Sequence, residues 1–239
     1  MHSMTRGTLY LIPVPLGMIP AAESLPAAVC AQVAGLRYFI AENAKSARAF
    51  LKSLPSRIPL QDISISELNE HTPPAVLHER LAPLLAGSDV GLISEAGCPA
   101  VADPGAELVA LAQANGIRIA PLVGPSSILL ALMASGLGGQ HFAFHGYLPA
   151  KEKARNQKIT ALEKESRTHR RTQIFIETPY RNLKLFAALL DHCAGQTRLC
   201  LATNLTLPGE SILTHRIDQW KKLTPPEINR RPTVFLLLA

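Results

Sequence analysis

The run Ser94-Glu95-Ala96-Gly97-Cys98-Pro99-Ala100-Val101-Ala102-Asp103-Pro104-Gly105 comes directly after the apolar stretch Val90-Gly91-Leu92-Ile93. A buried strand that breaks into small residues, glycines and prolines, then restarts as a helix, offers free backbone amides at the carboxyl edge of a sheet. Open α/β folds hold ligands at that edge. The loop has neither a Walker pattern nor Gly-x-Gly-x-x-Gly, so the two commonest phosphate cradles do not apply. Around it, Glu42, Glu70, His71 and Glu177 stand beside expected strand ends or loops and are the candidates for proton transfer. Lone histidines such as His71 and His145 are more often surface or core residues than catalysts. Val123-Gly124-Pro125-Ser126-Ser127 reads as a helix start, with Pro in the first turn and two hydroxyls available to free amides. The same helix N-terminus would also favour a carboxylate. The eight histidines show no i, i+4 pairing with acidic company, so no metal is expected.

These groups need a frame, and the first half of the chain supplies alternating strand and helix signals. Strands are expected at Thr8–Ile12, Arg37–Ala41, near Leu60–Ile65, Val90–Ile93 and Ile117–Leu122. Helices are expected at Ala21–Ala34, Ala44–Ser53, Pro73–Leu85 and Gly105–Asn115, the last closed by Gly116. That alternation implies a parallel sheet with both faces covered. After Gly136-Leu137-Gly138-Gly139 the pattern changes. Strands are expected at 142–147, 173–177, 198–202, 211–217 and 233–238, with helices at 151–165 and 179–193, which points to a mixed sheet. The expected domains are 1–137 and 138–239.

With 239 residues, 47% hydrophobic and 18% charged, the chain has material for two modest cores. No apolar window reaches the roughly 20 residues of a membrane span. No basic segment leading into an apolar one opens the sequence, and the four cysteines show no two-residue spacing, so a reduced, cytoplasmic protein is expected. Charge is unevenly placed. Residues 1–149 hold 8 Lys and Arg against 10 Asp and Glu, a balance of −2, whereas residues 150–239 hold 16 against 8, a balance of +8. Basic runs are usually solvated helix faces, yet a one-sided field is also the footprint of a polyanionic partner such as nucleic acid. Aromatic content of 5% argues against single-strand binding by stacking alone.

Four blocks, in order and spacing, resemble the tetrapyrrole methylase superfamily of S-adenosylmethionine-dependent enzymes. They are Ser94–Pro99 with Asp103-Pro104-Gly105; Leu122-Val123-Gly124-Pro125-Ser126-Ser127; Phe144-His145-Gly146-Tyr147-Leu148-Pro149-Ala150-Lys151; and Ile176-Glu177-Thr178-Pro179-Tyr180-Arg181. Within the superfamily they are most similar to the branch that methylates ribose 2′-hydroxyls of small-subunit ribosomal RNA. The resemblance starts at Leu9-Tyr10-Leu11-Ile12-Pro13-Val14-Pro15-Leu16-Gly17 and runs to the last strand. It implies a two-lobed α/β fold, an N-terminal parallel sheet with helices on both faces and a C-terminal mixed sheet, with S-adenosylmethionine in the cleft between lobes and a homodimer as the working unit. It further implies cofactor contacts from Pro15, Leu16, Gly17, Ser94, Glu95, Ala96, Gly97, Pro99, Val101, Ala102, Ser126, Ser127 and Glu177. The same resemblance implies acid–base positions for Glu42 and Glu70 and substrate contacts for Lys45 and Arg181.

The departures fall on the acceptor side. The branch carries Gly-Asn after the first strand, Glu-Asp-Thr-Arg after the second and His-Asn-Glu after the third. Here these are Gly17-Met18, Glu42-Asn43-Ala44-Lys45 and Leu68-Asn69-Glu70, and a Lys lacks the bidentate fork of Arg. On this resemblance the chain is expected to lack the branch's C-terminal helical extension. An RNA methyltransferase is therefore the leading expectation, bound to RNA or the small ribosomal subunit. A small-molecule methyltransferase of tetrapyrrole type and a non-catalytic binding module are the alternatives.

Overall fold

The computed structural model describes residues 6–56, 58–69 and 71–239. By contacts the chain divides into two units, Met1–Ser126 and Ser127–Ala239. In the first unit β1 (Thr8–Ile12) leads to α1 (Ala27–Val33), β2 (Tyr38–Ala41), α2 (Ala44–Lys52) and β3 (Ser64–Glu67). Next come α3 (Pro74–Arg80), α4 (Ala82–Leu85), β4 (Val90–Ile93), α5 (Ala106–Ala114) and β5 (Arg118–Pro121). The strands form one parallel sheet in the order β3-β2-β4-β1-β5. Alternate residues feed opposite cores, as a two-residue side-chain period requires. Ile12, Phe39 and Ile93 pack with Val29, Val33, Ala47 and Leu51 of α1 and α2. Leu9, Ile40 and Leu92 pack with Leu77, Leu84, Leu108 and Ala112 of α3, α4 and α5.

Prolines explain where the structure departs from the expected elements. The single helix expected over Ala21–Ala34 is a 3-10 turn at Ala21–Glu23 and then α1, with Pro26 extended at its N-cap (φ −58°, ψ 144°). A proline pushes the residue before it out of helical geometry, so the helix restarts after it. The helix expected over 73–85 breaks at Leu81, because Pro83 cannot donate back to the preceding turn. The third strand lies at Ser64–Glu67, a few residues later than expected, after a 3-10 turn at Leu60–Asp62.

The second unit comprises α6 (Ser127–Ala134), β6 (Phe142–Tyr147), α7 (Glu152–His169), β7 (Thr172–Ile176), α8 (Asn182–His192), β8 (Arg198–Thr203), β9 (Ser211–Arg216), α9 (Ile217–Trp220) and β10 (Thr233–Leu238). Its sheet runs β6-β7-β10-β8-β9, parallel at β6/β7 and antiparallel elsewhere, and is therefore mixed. Ile159 and Leu162 of α7 and Leu185 and Leu189 of α8 pack with Phe175, Leu201, Phe235 and Leu237 of the sheet. Phe175 and Phe235 stack with centroids 5.9 Å apart and planes 8° from parallel. No helix among the described residues is long and apolar enough to cross a membrane.

That stacked pair makes a direct test of the second core. Phe235→Ala should cost about 3–5 kcal/mol of unfolding free energy in urea titrations, the range for emptying a fully buried aromatic site. Leu223→Ala, at an exposed position, should cost less than about 0.5 kcal/mol.

Candidate functional site

The carboxyl edge of the first sheet gathers loops from every strand of the unit. The chain leaves β2 outward toward β3 but leaves β4 across β1 toward β5, so loops after the neighbours β2 and β4 diverge. Such divergence opens a crevice in parallel sheets. The loop after β1 and the loop after β4 are tied by a two-way bridge: Val14 N donates to Gly97 O at 3.0 Å and Gly97 N to Val14 O at 3.1 Å. Gly97 has φ +71°, and a Cβ there would stand 3.2 Å from Leu16 Cδ2 and 3.6 Å from Pro125 O. Glycine alone takes that conformation without strain. The loop after β5 joins through Cys98, whose Sγ donates to Pro125 O at 3.5 Å, and burial pushes its thiol up, away from thiolate chemistry.

Between Gly97 and Gly105 the backbone repeatedly enters the left-handed region, at Ala100 (φ 63°) and Ala102 (φ 62°) as well as at Gly105 (φ 127°). Alanine in that region costs roughly 1–2 kcal/mol per residue, so two within three positions is stored strain held by the sheet beneath. The return is in hydrogen-bonding capacity. The amides of Cys98, Ala100, Val101, Ala102 and Asp103 donate to no acceptor among the described residues, and Val101 is 46% exposed. Alternation in the sign of φ turns successive amides toward a common ligand rather than into a ladder. Pro15, Leu16 and Gly17 stand beside this loop through the Val14–Gly97 bridge, and Ser126 closes the unit just after Pro125.

Carboxylates edge the same loops. Glu42 comes after β2, Glu95 after β4, and Asp103 sits further along the β4 loop. Burial, then repulsion from Glu42 and Glu95, pushes the Asp103 carboxyl up to about 6. The Ser46 hydroxyl donates to Glu95 Oε1, and Glu67 Oε1 accepts from Ala44 N at 3.0 Å. Asn43 caps α2 by accepting from Lys45 N at 2.8 Å and Ser46 N at 3.3 Å, and Lys45 is exposed. Beside this edge a cavity of about 460 Å³ is lined by Leu68, Asn69 and Thr72 from the segment after β3 and by Ala102, Asp103 and Pro104. Sequence reasoning names Ala102 but misses Asp103 and the rest of that lining. The signal for Asp103 is the presence of two more carboxylates at neighbouring strand ends. Glu70 lies outside the described residues.

Ser127, Glu177 and Arg181 belong to the second unit. Glu177 stands just past β7 with its side chain 2% exposed, and its Oε1 accepts from Thr178 N at 2.7 Å, Arg181 Nε at 3.0 Å and Arg181 Nη2 at 2.7 Å. His145 pairs through Nε2 with Gln173 Oε1 inside the sheet, a structural role for a lone imidazole.

Residues 9–220 match the sequence profile of the family described as Tetrapyrrole (Corrin/Porphyrin) Methylases. The chain is 33% identical over 231 residues to the ribosomal RNA small subunit methyltransferase I of Vibrio cholerae serotype O1, covering 97% of this chain and 76% of that one. The crystal structure of the methyltransferase CobJ superposes with a TM-score of 0.64 at 16% identity, over 97% of this chain and 94% of the other. A uroporphyrin-III C-methyltransferase from Thermus thermophilus, solved with S-adenosylhomocysteine, superposes at 0.55 and 14% identity, over 97% of each chain.

The raised Asp103 carboxyl fixes a sign for stability against pH. Below 3.8 the group is protonated folded and unfolded alike; between 3.8 and about 6 the folded state holds the extra proton, so stability falls as pH rises, and above about 6 the full cost is present. Asp103→Asn removes that titration. Its melting temperature should therefore gain on wild type between pH 4 and pH 7.5; a constant offset across that range would show that Asp103 is not strained by burial and its neighbours.

Proposed function

Because the chain belongs to the tetrapyrrole (corrin/porphyrin) methylase family, we propose that it methylates a ribose hydroxyl of small-subunit ribosomal RNA. It is a methyltransferase, and its methyl donor is S-adenosylmethionine. Bound, that cofactor supplies an electrophilic methyl on a sulfonium. This chain must add position and a proton acceptor.

The observation that carries the cofactor site is the strained loop Gly97–Gly105 with its unpartnered amides, tied to the first-strand loop by Val14 and Gly97. Small side chains let a ligand approach the backbone, and free N–H groups satisfy acceptors on it. Pro15, Leu16, Gly17, Ser94, Glu95, Ala96, Gly97, Pro99, Val101 and Ala102 are the residues assigned to hold it, with Ser126 and Ser127 at the start of α6. Glu42 is assigned to take the acceptor's proton, together with Glu70 of the segment after β3. Asp103, with a carboxyl near 6, is an additional proton acceptor suited to neutral pH. Lys45 is assigned to an acceptor phosphate. Glu177 is read with Arg181 rather than with the cofactor, since its Oε1 is already occupied by that guanidinium.

The RNA acceptor is supported by charge: the second unit carries 16 Lys and Arg against 8 Asp and Glu, whereas the first carries 8 against 10. A homodimer is supported by Leu129 and Met133, one helical turn apart on α6 and 52% and 80% exposed. Light scattering should then give twice the chain mass of 25.8 kDa.

Calorimetry with S-adenosylhomocysteine tests the site. Gly97→Val should weaken binding by more than about tenfold, a factor that needs only about 1.4 kcal/mol of steric cost. Gly136→Ala, with φ +66° and nothing within 4 Å of its added Cβ, controls for backbone strain alone and should bind as wild type. Glu42→Gln should slow methyl transfer to small ribosomal subunits by about a hundredfold or more while binding S-adenosylhomocysteine normally. A folded wild type that binds no S-adenosylhomocysteine would remove the assignment of this loop.

A further inference from the structure

The second unit has its own carboxyl edge, and its chemistry is unlike the first. β6 and β7 run parallel, with Phe144 opposite Ile174, but the next registered pair is Tyr147 with Ile176. One extra residue in β6, at His145-Gly146, makes a bulge in which Gly146 takes φ +62°. Bulges of this kind bend a strand and re-aim the residues beyond them. Here the bulge brings Tyr147, 56% exposed, to the edge level with the end of β7. Four residues beyond Ile176 comes Tyr180, 67% exposed, with the Arg181 guanidinium 5.5 Å from its ring centroid.

A third segment is pinned to the same place. Arg230 N donates to Pro179 O at 3.0 Å, and Asn182, wholly buried, donates through Nδ2 to Ile228 O at 2.9 Å and Arg231 O at 2.7 Å. Arg230 is held in the left-handed region at φ 56°. Arg181 is paired with Glu177 and Arg231 with Glu227, whereas Arg230 has no carboxylate partner among the described residues. Lys151, exposed, lies four residues past Tyr147. Of the four tyrosines in the chain, the two most exposed thus stand at one sheet edge among cations, of which Arg230 and Lys151 have no carboxylate partner among the described residues.

Exposed aromatic rings beside unpaired guanidinium groups recognise unstacked bases and the phosphates between them. We propose that Tyr147, Tyr180 and Arg230 form a subsite for unpaired nucleotides of the acceptor RNA, the tyrosines stacking on bases and Arg230 meeting a phosphate. The proposal rests on the reading of the acceptor as RNA. Few rings suffice where the fold collects them beside a cation, so that stacking does not act alone.

The test uses the full chain and fluorescently labelled oligoadenylate, with heparin as a polyanion that has no bases. Tyr180→Ala and Tyr147→Ala should each weaken oligoadenylate binding by roughly tenfold. Tyr180→Phe should bind as wild type, and heparin affinity should be unchanged in all three. Arg230→Gln should lower the salt slope of oligoadenylate binding by about 0.7, the loss of one single-strand phosphate contact. Oligoadenylate affinity unchanged in both alanine variants, or lost in parallel with heparin, overturns the subsite. Methyl transfer to undermethylated small ribosomal subunits, measured on the same preparations, separates the two levels. A wild type that methylates RNA but does not distinguish its tyrosine variants leaves the RNA reading standing and removes the subsite. A wild type that binds S-adenosylhomocysteine but methylates no RNA overturns the RNA reading and the subsite with it.

Discussion

Two hydrogen bonds between Val14 and Gly97 join loops that belong to adjacent parallel strands and would otherwise leave the sheet independently. Parallel strands end their ladders at the carboxyl edge, and the loops beyond ordinarily owe each other nothing. Here the bridge extends the β1/β4 pairing past the strand ends in the opposite sense, and it requires a residue at 97 that tolerates φ +71° with Leu16 and Pro125 close by. From that anchor the β4 loop can carry two left-handed alanines and leave its amides unpaired, because its start is fixed by Gly97 and its end by the first turn of α5.

The same edge concentrates negative charge. The parallel order places the ends of β2 and β4 side by side, so Glu42 and Glu95 arrive from distant parts of the chain to repel the half-buried Asp103. The second unit balances charge differently. Glu177 is buried only because Arg181 and the Thr178 amide satisfy it, an arrangement that fixes the guanidinium beside Tyr180. One unit thus presents amides edged by carboxylates and the other presents cations edged by rings. A cofactor that carries both a sulfonium and a carboxylate suits the first, and a polyanionic acceptor suits the second.

Much of this is legible in the sequence, for identifiable reasons. Val90–Ile93, buried on both faces, reads as a central parallel strand because all four residues are apolar or small. The loop after it announces itself by glycines and prolines. Ser64–Glu67 is harder to place because its outer side chains are polar and it lies at the sheet margin, where burial imposes little pattern. Helix α1 is shorter than its sequence suggests because alanines on either side of Pro26 conceal the break. The site is legible as loops but not as contacts. Nothing near Gly97 says that its partner is Val14, and nothing near Asp103 says that Glu42 stands close, since both facts depend on strand order. The position of Arg230 beside Pro179 is similarly a product of the Asn182 side chain, one amide reaching two carbonyls far along the chain.

The bulge at His145-Gly146 has a second effect, on solubility. β6 is an outermost strand, and an outermost strand with a regular row of unpaired N–H and C=O groups is a template for any other extended chain. An inserted residue with φ +62° breaks that row and adds twist, so a stray strand cannot zip along β6 for its full length. The irregularity that brings Tyr147 to the sheet edge also interrupts the row of groups along which a second copy of β6 would have to pair.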